Sequence, residues 1–412
     1  MAKPKLALIP AAQGSKFYSV LPSDGGGDFN FARASAATRI NKYGLIETVA
    51  SSQSRLNYPL IDGVVKGCPS HILEPARTNL ITYSEAFDNV YWTKSGSSVV
   101  SNAAISPDGV LNAYKFVEGT NTGGHRLYGI GTTVASGRLS IFAKAGERTQ
   151  ILVEEFTDNA YFDLSNGTIL TQTIDADAKI ESYADGWYRC SIKTDILAGN
   201  SLNFYPAIDG SVSYTGNGTS GLYIFGAQLE QGSYPTSYIP TSGTTVTRSA
   251  ETANNAGDAS TFNDSEGVLF AEIQALAEDS TFRFITISDG TTSNRVTIFF
   301  RDDNTLDGGV EGTTFFDSTV DILDFNKVAV KYKSGDNSFF VNGFEVDSNT
   351  ETFTNTGLNQ LDFDLANGAL PFYGNTKQIQ YFDTTLTDSE LETLTSWTSF
   401  SEMAEGQLYT IE

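Results

Sequence analysis

Only two histidines, His71 and His125, occur in the 412-residue chain, and no Gly-x-Ser-x-Gly, His-Glu-x-x-His or phosphate-loop pattern accompanies them. Nucleophilic triads, zinc hydrolysis and nucleotide chemistry therefore have no foothold in the sequence. Glycoside hydrolysis needs paired carboxylates flanking the scissile bond. Asp362 and Asp364, in Leu361-Asp362-Phe363-Asp364-Leu365, stand at i and i+2, which puts both on one face of a strand. No third acid continues that strand, since Ala366-Asn367-Gly368 follows. A solvated strand face is the plainer meaning of the pair. The stacked repeats of a β-helix depolymerase are missing too.

Two non-covalent chemistries remain. Asp302-Asp303-Asn304-Thr305-Leu306-Asp307-Gly308 is rich in oxygen donors, and Asp302, Asn304 and Asp307 are candidate ligands for Ca²⁺ at a loop rim. The spacing misses the EF-hand pattern, which wants ligands at positions 1, 3 and 5 before a glycine at 6, and a polar inter-strand loop is the alternative. Beyond that ion no cofactor is expected. Sugars stack their apolar faces on exposed aromatic rings, and Trp92, Tyr128, Tyr205 and Tyr214 lie near Gly- or Asn-rich loops that could present such a platform. The competing role for each is half-buried packing. Trp187 and Trp397 are assigned to cores, and Tyr234 and Tyr238 to clamping a connector.

The elements that would position these residues read as strands. Arg138 to Ala143 and Trp187 to Lys193 alternate with period 2, and Ser165-Asn166-Gly167-Thr168 is a turn between strand-like runs. The apolar run Leu222 to Leu229 reads as a strand buried on both faces, and Pro235 and Pro240 then carry the chain out in an extended connector. Lys327 to Lys333 alternates most clearly, and Asn342-Gly343 marks a tight hairpin after Phe340-Val341. One helix is predicted from Thr387 to about Thr398, with Thr387 and Glu390 as a capping box.

Charged residues make up only 18% of the chain, which disfavours long amphipathic helices. The net charge of −23 argues against nucleic acid and an anionic membrane surface as partners, because both require a cationic footprint. No stretch approaches the roughly 18 apolar residues of a membrane span. Cys68 and Cys190 do not make a disulfide framework. Alternation puts Cys190 on an apolar face as an inert thiol, and a bridge between the two is left open.

Several words in the chain resemble known proteins. Phe31-Ala32-Arg33-Ala34-Ser35-Ala36-Ala37-Thr38-Arg39-Ile40-Asn41, Gly44-Leu45-Ile46-Glu47 and Leu73-Glu74-Pro75-Ala76-Arg77-Thr78-Asn79-Leu80 resemble those of tail-fibre and head-fibre proteins of tailed bacteriophages. So do Phe87-Asp88-Asn89 with Trp92-Thr93-Lys94, Asp185-Gly186-Trp187-Tyr188-Arg189, and the stretch from Gly226 through Thr241. The resemblance covers residues 17 to 251 and implies a carbohydrate-binding-module-like jelly roll. Val328-Ala329-Val330-Lys331-Tyr332, Phe340-Val341-Asn342-Gly343, Ile379-Gln380-Tyr381-Phe382 and Leu386-Thr387-Asp388-Ser389-Glu390-Leu391 are similar to the concanavalin A-like, laminin-G-like sandwich. That superfamily includes lectins, glycosidases and spacers, so function does not follow from the likeness.

The expected architecture is all-β: two tandem antiparallel β-sandwich domains with an irregular N-terminal arm and one short C-terminal helix. The expected units are an attachment arm over 1–70, a jelly roll over 71–245, a linker over 246–266, a second sandwich over 267–400 and a tail over 401–412. The resemblance implies a non-enzymatic virion component, a fibre or decoration appendage made in the bacterial cytoplasm. It would attach to other virion proteins through the arm, assemble as a homotrimer and adhere to host or environmental glycans. The alternatives are an architectural subunit that binds only virion proteins, and a glycan-cleaving depolymerase.

Overall fold

The apolar run Leu222 to Leu229 forms the middle of the strand Gly221–Gln231, which is buried on both faces. Leu111–Glu118 pairs along one edge of it and Val134–Lys144 along the other. Ser97–Ile105, Trp187–Ile196 and Lys179–Tyr183 complete a six-stranded antiparallel sheet. A second six-stranded sheet faces it, ordered Thr93–Ser95, Arg126–Ile130, Ser201–Ala207, Gln150–Glu155, Asp158–Asp163, Thr168–Gln172. Ile141, Ile192, Ile224, Val153, Phe162 and Phe204 fill the space between them. In this computed structural model the described residues are 2–13, 16–196, 199–311 and 314–407.

The second sandwich packs a long antiparallel sheet on a five-stranded one built from Arg283–Ser288, Arg295–Phe300, Leu306–Val310, Thr314–Ser318 and Gln360–Asp362. The protein is thus an all-β, two-sandwich fold. In the long sheet Glu266–Ala275 lies between Gly374–Phe382 and Asn326–Lys333. Tyr332 and Tyr381 meet in its core through their hydroxyls at 2.8 Å. The expected helix is α1, Asp388–Ser396, with the full Thr387–Glu390 capping box. A second helix, α2 (Phe400–Gly406), follows it. Val268, Phe270, Phe340 and Phe382 on the sheet's outer face receive Leu391 and Leu394 from α1. Among the described residues no helix is long and apolar enough to cross a membrane. Both cysteines are free, Cys68 exposed and Cys190 buried.

The first 70 residues join both sandwiches. Leu6–Gln13 pairs with Gly374–Phe382, setting Leu6 opposite Tyr381. Lys16–Leu21 and Phe29–Ala32 extend the same sheet outward, and Leu6, Leu8, Phe29 and Phe31 enter the second sandwich's core. The hairpin of Ala37–Ile40 and Ile46–Val49 leans the other way. Its Ile46 packs with Phe142, Trp187, Phe225 and Tyr238 of the first sandwich.

The stretch between the sandwiches is equally tied down. Val246–Arg248 pairs with Arg77–Asn79, and Thr252–Asn254 pairs with Phe29–Ala32. Glu251 is buried and accepts hydrogen bonds from Arg33 Nη1 at 2.6 Å, Arg55 Nε at 2.8 Å and the Glu74 amide at 2.9 Å. Glu74 pairs with Arg248 at 2.9 Å and Arg55 at 2.8 Å, and accepts from Ser237 Oγ at 2.6 Å. Burial acts to raise the Glu74 carboxyl, but Arg248 and Arg55 outweigh it and hold the group at about 2. Each buried charge here meets its opposite, the condition under which such charges are tolerated.

Candidate functional site

The second sheet of the first sandwich presents a polar, aromatic face. Strand alternation sends Leu127, Val153, Phe162 and Phe204 inward. It leaves Arg126, Tyr128, Asn203, Tyr205, Glu154 and Tyr161 facing out. Register aligns them in two rows: Tyr128 stands opposite Asn203 and Asn203 opposite Glu154, while Leu152 lies between Tyr205 and Tyr161.

A hydrogen-bonded relay runs from Arg126 into the first row. Arg126 Nε donates to Asn203 Oδ1 at 2.8 Å, and Asn203 Nδ2 donates to Glu154 Oε1 at 3.1 Å. The Arg126 guanidinium lies 3.8 Å from the centroid of the Tyr128 ring, a cation–π contact that fixes its plane. Burial pushes the Glu154 carboxyl up, against the opposing pull of Arg126 and the Asn203 hydrogen bond. Burial, and then the Glu154 charge, raise the phenols of Tyr161 and Tyr205.

Arg126, Glu154, Asn203 and Tyr205 line a depression of about 620 Å³, counting the solvent at its mouth. Phe156 stands at its edge in the turn between Gln150–Glu155 and Asp158–Asp163, 76% exposed and at φ 34°. A bulky residue in left-handed backbone is strained, and such strain concentrates at binding sites. An apolar ring at the rim and a donor–acceptor pair on the floor suit a ligand with one apolar face and a fringe of hydroxyls.

Of the residues picked from the sequence, Tyr128 and Tyr205 share this face. Trp92 is corrected: it is 1% exposed, packed against Phe87, Tyr91 and Phe204, and its Nε1 donates to the Tyr83 carbonyl at 2.8 Å. A ring so enclosed has no face to offer a sugar. Tyr214 is half-buried on the ribbon of Thr122–Gly124 and Ser213–Thr215, its ring 4.6 Å from the buried His125 and 5.4 Å from the Arg148 guanidinium. Arg126, Glu154, Phe156, Tyr161 and Asn203 escaped the sequence reading. The signal that could have found them is the i, i+2 pairing of polar and aromatic residues in Arg126-Leu127-Tyr128 and Asn203-Phe204-Tyr205.

In the oxygen-rich loop the three side chains have different surroundings. Asp307 is buried and paired with Arg301 at 2.9 Å, Asn304 accepts from the Ser280 amide at 3.3 Å, and Asp302 is exposed. Among the described residues no cluster of three or more His, Cys, Asp or Glu side chains is placed to hold a metal ion. Asp362 and Asp364 are both buried. Asp362 accepts from the Asn255 amide at 2.7 Å and Gln360 Nε2 at 2.6 Å, and Asp364 from Asn254 Nδ2 at 3.0 Å. The pair pins the 252–256 segment to the second sandwich.

No protein-family model matches the sequence. No curated protein matches it either. Among solved structures, the chain is similar to the CBM40 of a Ruminococcus gnavus IT-sialidase, at 17% identity over 35% of this chain and 94% of that one, with a TM-score of 0.30. The leech intramolecular trans-sialidase matches at 18% identity over 34% of this chain and 24% of its own, TM-score 0.29. Domain 4 of AbnA, an extracellular arabinanase of Geobacillus stearothermophilus solved with arabinotriose, matches at 13% identity over 36% of this chain and 73% of its own, TM-score 0.29. At these identities and scores the likenesses carry no argument about what this chain binds.

Proposed function

We propose that this chain is a non-catalytic glycan-binding appendage of a tailed-phage virion, and that the outer face carrying Arg126, Asn203 and Glu154 holds the sugar. The observation behind this reading is the relay from Arg126 through Asn203 to Glu154, with Tyr205 and the exposed Phe156 lining the same depression and the Tyr128 ring against Arg126. It sets a fixed donor beside a fixed acceptor on a floor flanked by rings. The virion assignment rests on the fibre-like words of residues 17 to 251. Homotrimeric assembly belongs to the same reading, and several copies would turn weak single-site binding into avidity.

One observation favours a second reading, in which the protein is an architectural subunit only. Arg33, Glu74, Arg189, Ser237 and Tyr238 all fall within the fibre-like words, and all are spent inside the molecule on the joint or on the first sandwich's second core. Those words speak to how the appendage is built and say nothing of a ligand. A glycan array probed with the full chain separates the two. Binding that Tyr205→Ala abolishes supports the adhesin, and a blank array supports the architectural subunit.

A further inference from the structure

We infer that the site takes a neutral oligosaccharide, gripped by adjacent hydroxyls, and rejects acidic sugars. This rests on the reading of that face as a glycan site and adds the ligand's charge class. The floor carries one cation and one anion, Arg126 and Glu154, joined through Asn203 with contacts of 2.8 and 3.1 Å. Arg126 is already committed twice, to Asn203 by Nε and to the Tyr128 ring by its face. Its two Nη groups are the donors left for a ligand, and Glu154 Oε2 is the matching acceptor.

Neighbouring hydroxyls of a sugar each donate and accept, so one can take a hydrogen bond from the guanidinium while the next gives one to the carboxylate. A carboxylated or sulfated sugar in the same pose brings its charge against Glu154. It must also approach a chain whose net charge is −23. Recognition of an acidic sugar would want a cation free of a carboxylate neighbour. Arg126 is the only Lys or Arg among the described residues lining this depression.

The test is titration of the full chain with neutral oligosaccharides of glucose, xylose, mannose and arabinose, and in parallel with oligogalacturonate and sialyllactose. Each is run at about 20 and about 500 mM salt, a range that spans strong and weak screening. At least one neutral ligand should bind, with affinity changing less than about twofold across that range. Arg126→Met should weaken it roughly 10- to 100-fold, the size of a lost hydrogen bond to a charged group. Phe156→Ala, at an exposed turn where folding is not at stake, should weaken it as well. If an acidic oligosaccharide binds more tightly, loses affinity with salt and is lost in Phe156→Ala, the site reading stands and the neutral-ligand inference falls. If neither class binds, or if binding ignores both Phe156→Ala and Tyr205→Ala, both fall.

Discussion

Glu251 shows at the scale of one residue why the joint is rigid. Its carboxylate is met by Arg33 and Arg55 with no exposed side-chain surface on any of the three. Removing one member of a buried pair leaves the other charge uncompensated, at a cost of about 3–5 kcal/mol. Glu251→Ala should lower stability by that order in denaturant unfolding, and an effect below ~1 kcal/mol would mean the network is solvated. Asp362 acts oppositely. Burial, reinforced by the Asp364 charge, pushes its carboxyl up to about 6 from 3.8. The folded state therefore holds that proton more tightly than the unfolded chain, and the associated stability, present in full below pH 3.8, is lost as pH rises through 6. Glu74, held at about 2, contributes stability above pH 4.5 that disappears as pH falls toward 2. Stability against pH should fall between about pH 4 and 6 in the native protein. Asp362→Asn should flatten that limb; an unchanged profile would contradict the assignment.

At the scale of elements, what could be read from the sequence depended on how far apart in the chain the partners lie. Period-2 alternation in Lys327 to Lys333 and the Thr387–Glu390 capping box are local signals, and both elements are where they were expected. The apolar run Leu222 to Leu229 was equally plain. Leu6 and Leu8 gave no sign of their place, because Tyr381 and Ile379 beside them come from the far end of the chain. The Arg33–Glu251 pair spans 218 positions, and nothing in either neighbourhood announces the other. Glu154 and Asn203 lie 49 positions apart, and only the register of their strands sets them side by side. The segment after Pro240, which reads as a linker in sequence, carries two paired strands and two buried charged residues. Limited proteolysis should therefore spare residues 248 to 256, from the buried Arg248 onward, while exposed turns are cut. Deleting residues 2–32 should unfold the second sandwich, since Leu6, Leu8, Phe29 and Phe31 would leave its core. Retention of a cooperative transition for that sandwich would show the early strands to be dispensable.

Over the whole molecule, two sandwiches share one buried ionic joint, and the polar ring-lined face lies away from it on the first sandwich. The acidic chain, at net charge −23, would keep copies apart unless specific contacts draw them together. The most direct measurement of the central claim is a glycan array probed with the full chain beside its Tyr205→Ala and Arg126→Met variants. The expected result is binding to neutral glycans that both variants lose while their unfolding curves stay close to that of the parent. Binding that survives both substitutions, or no binding to any glycan, would contradict it.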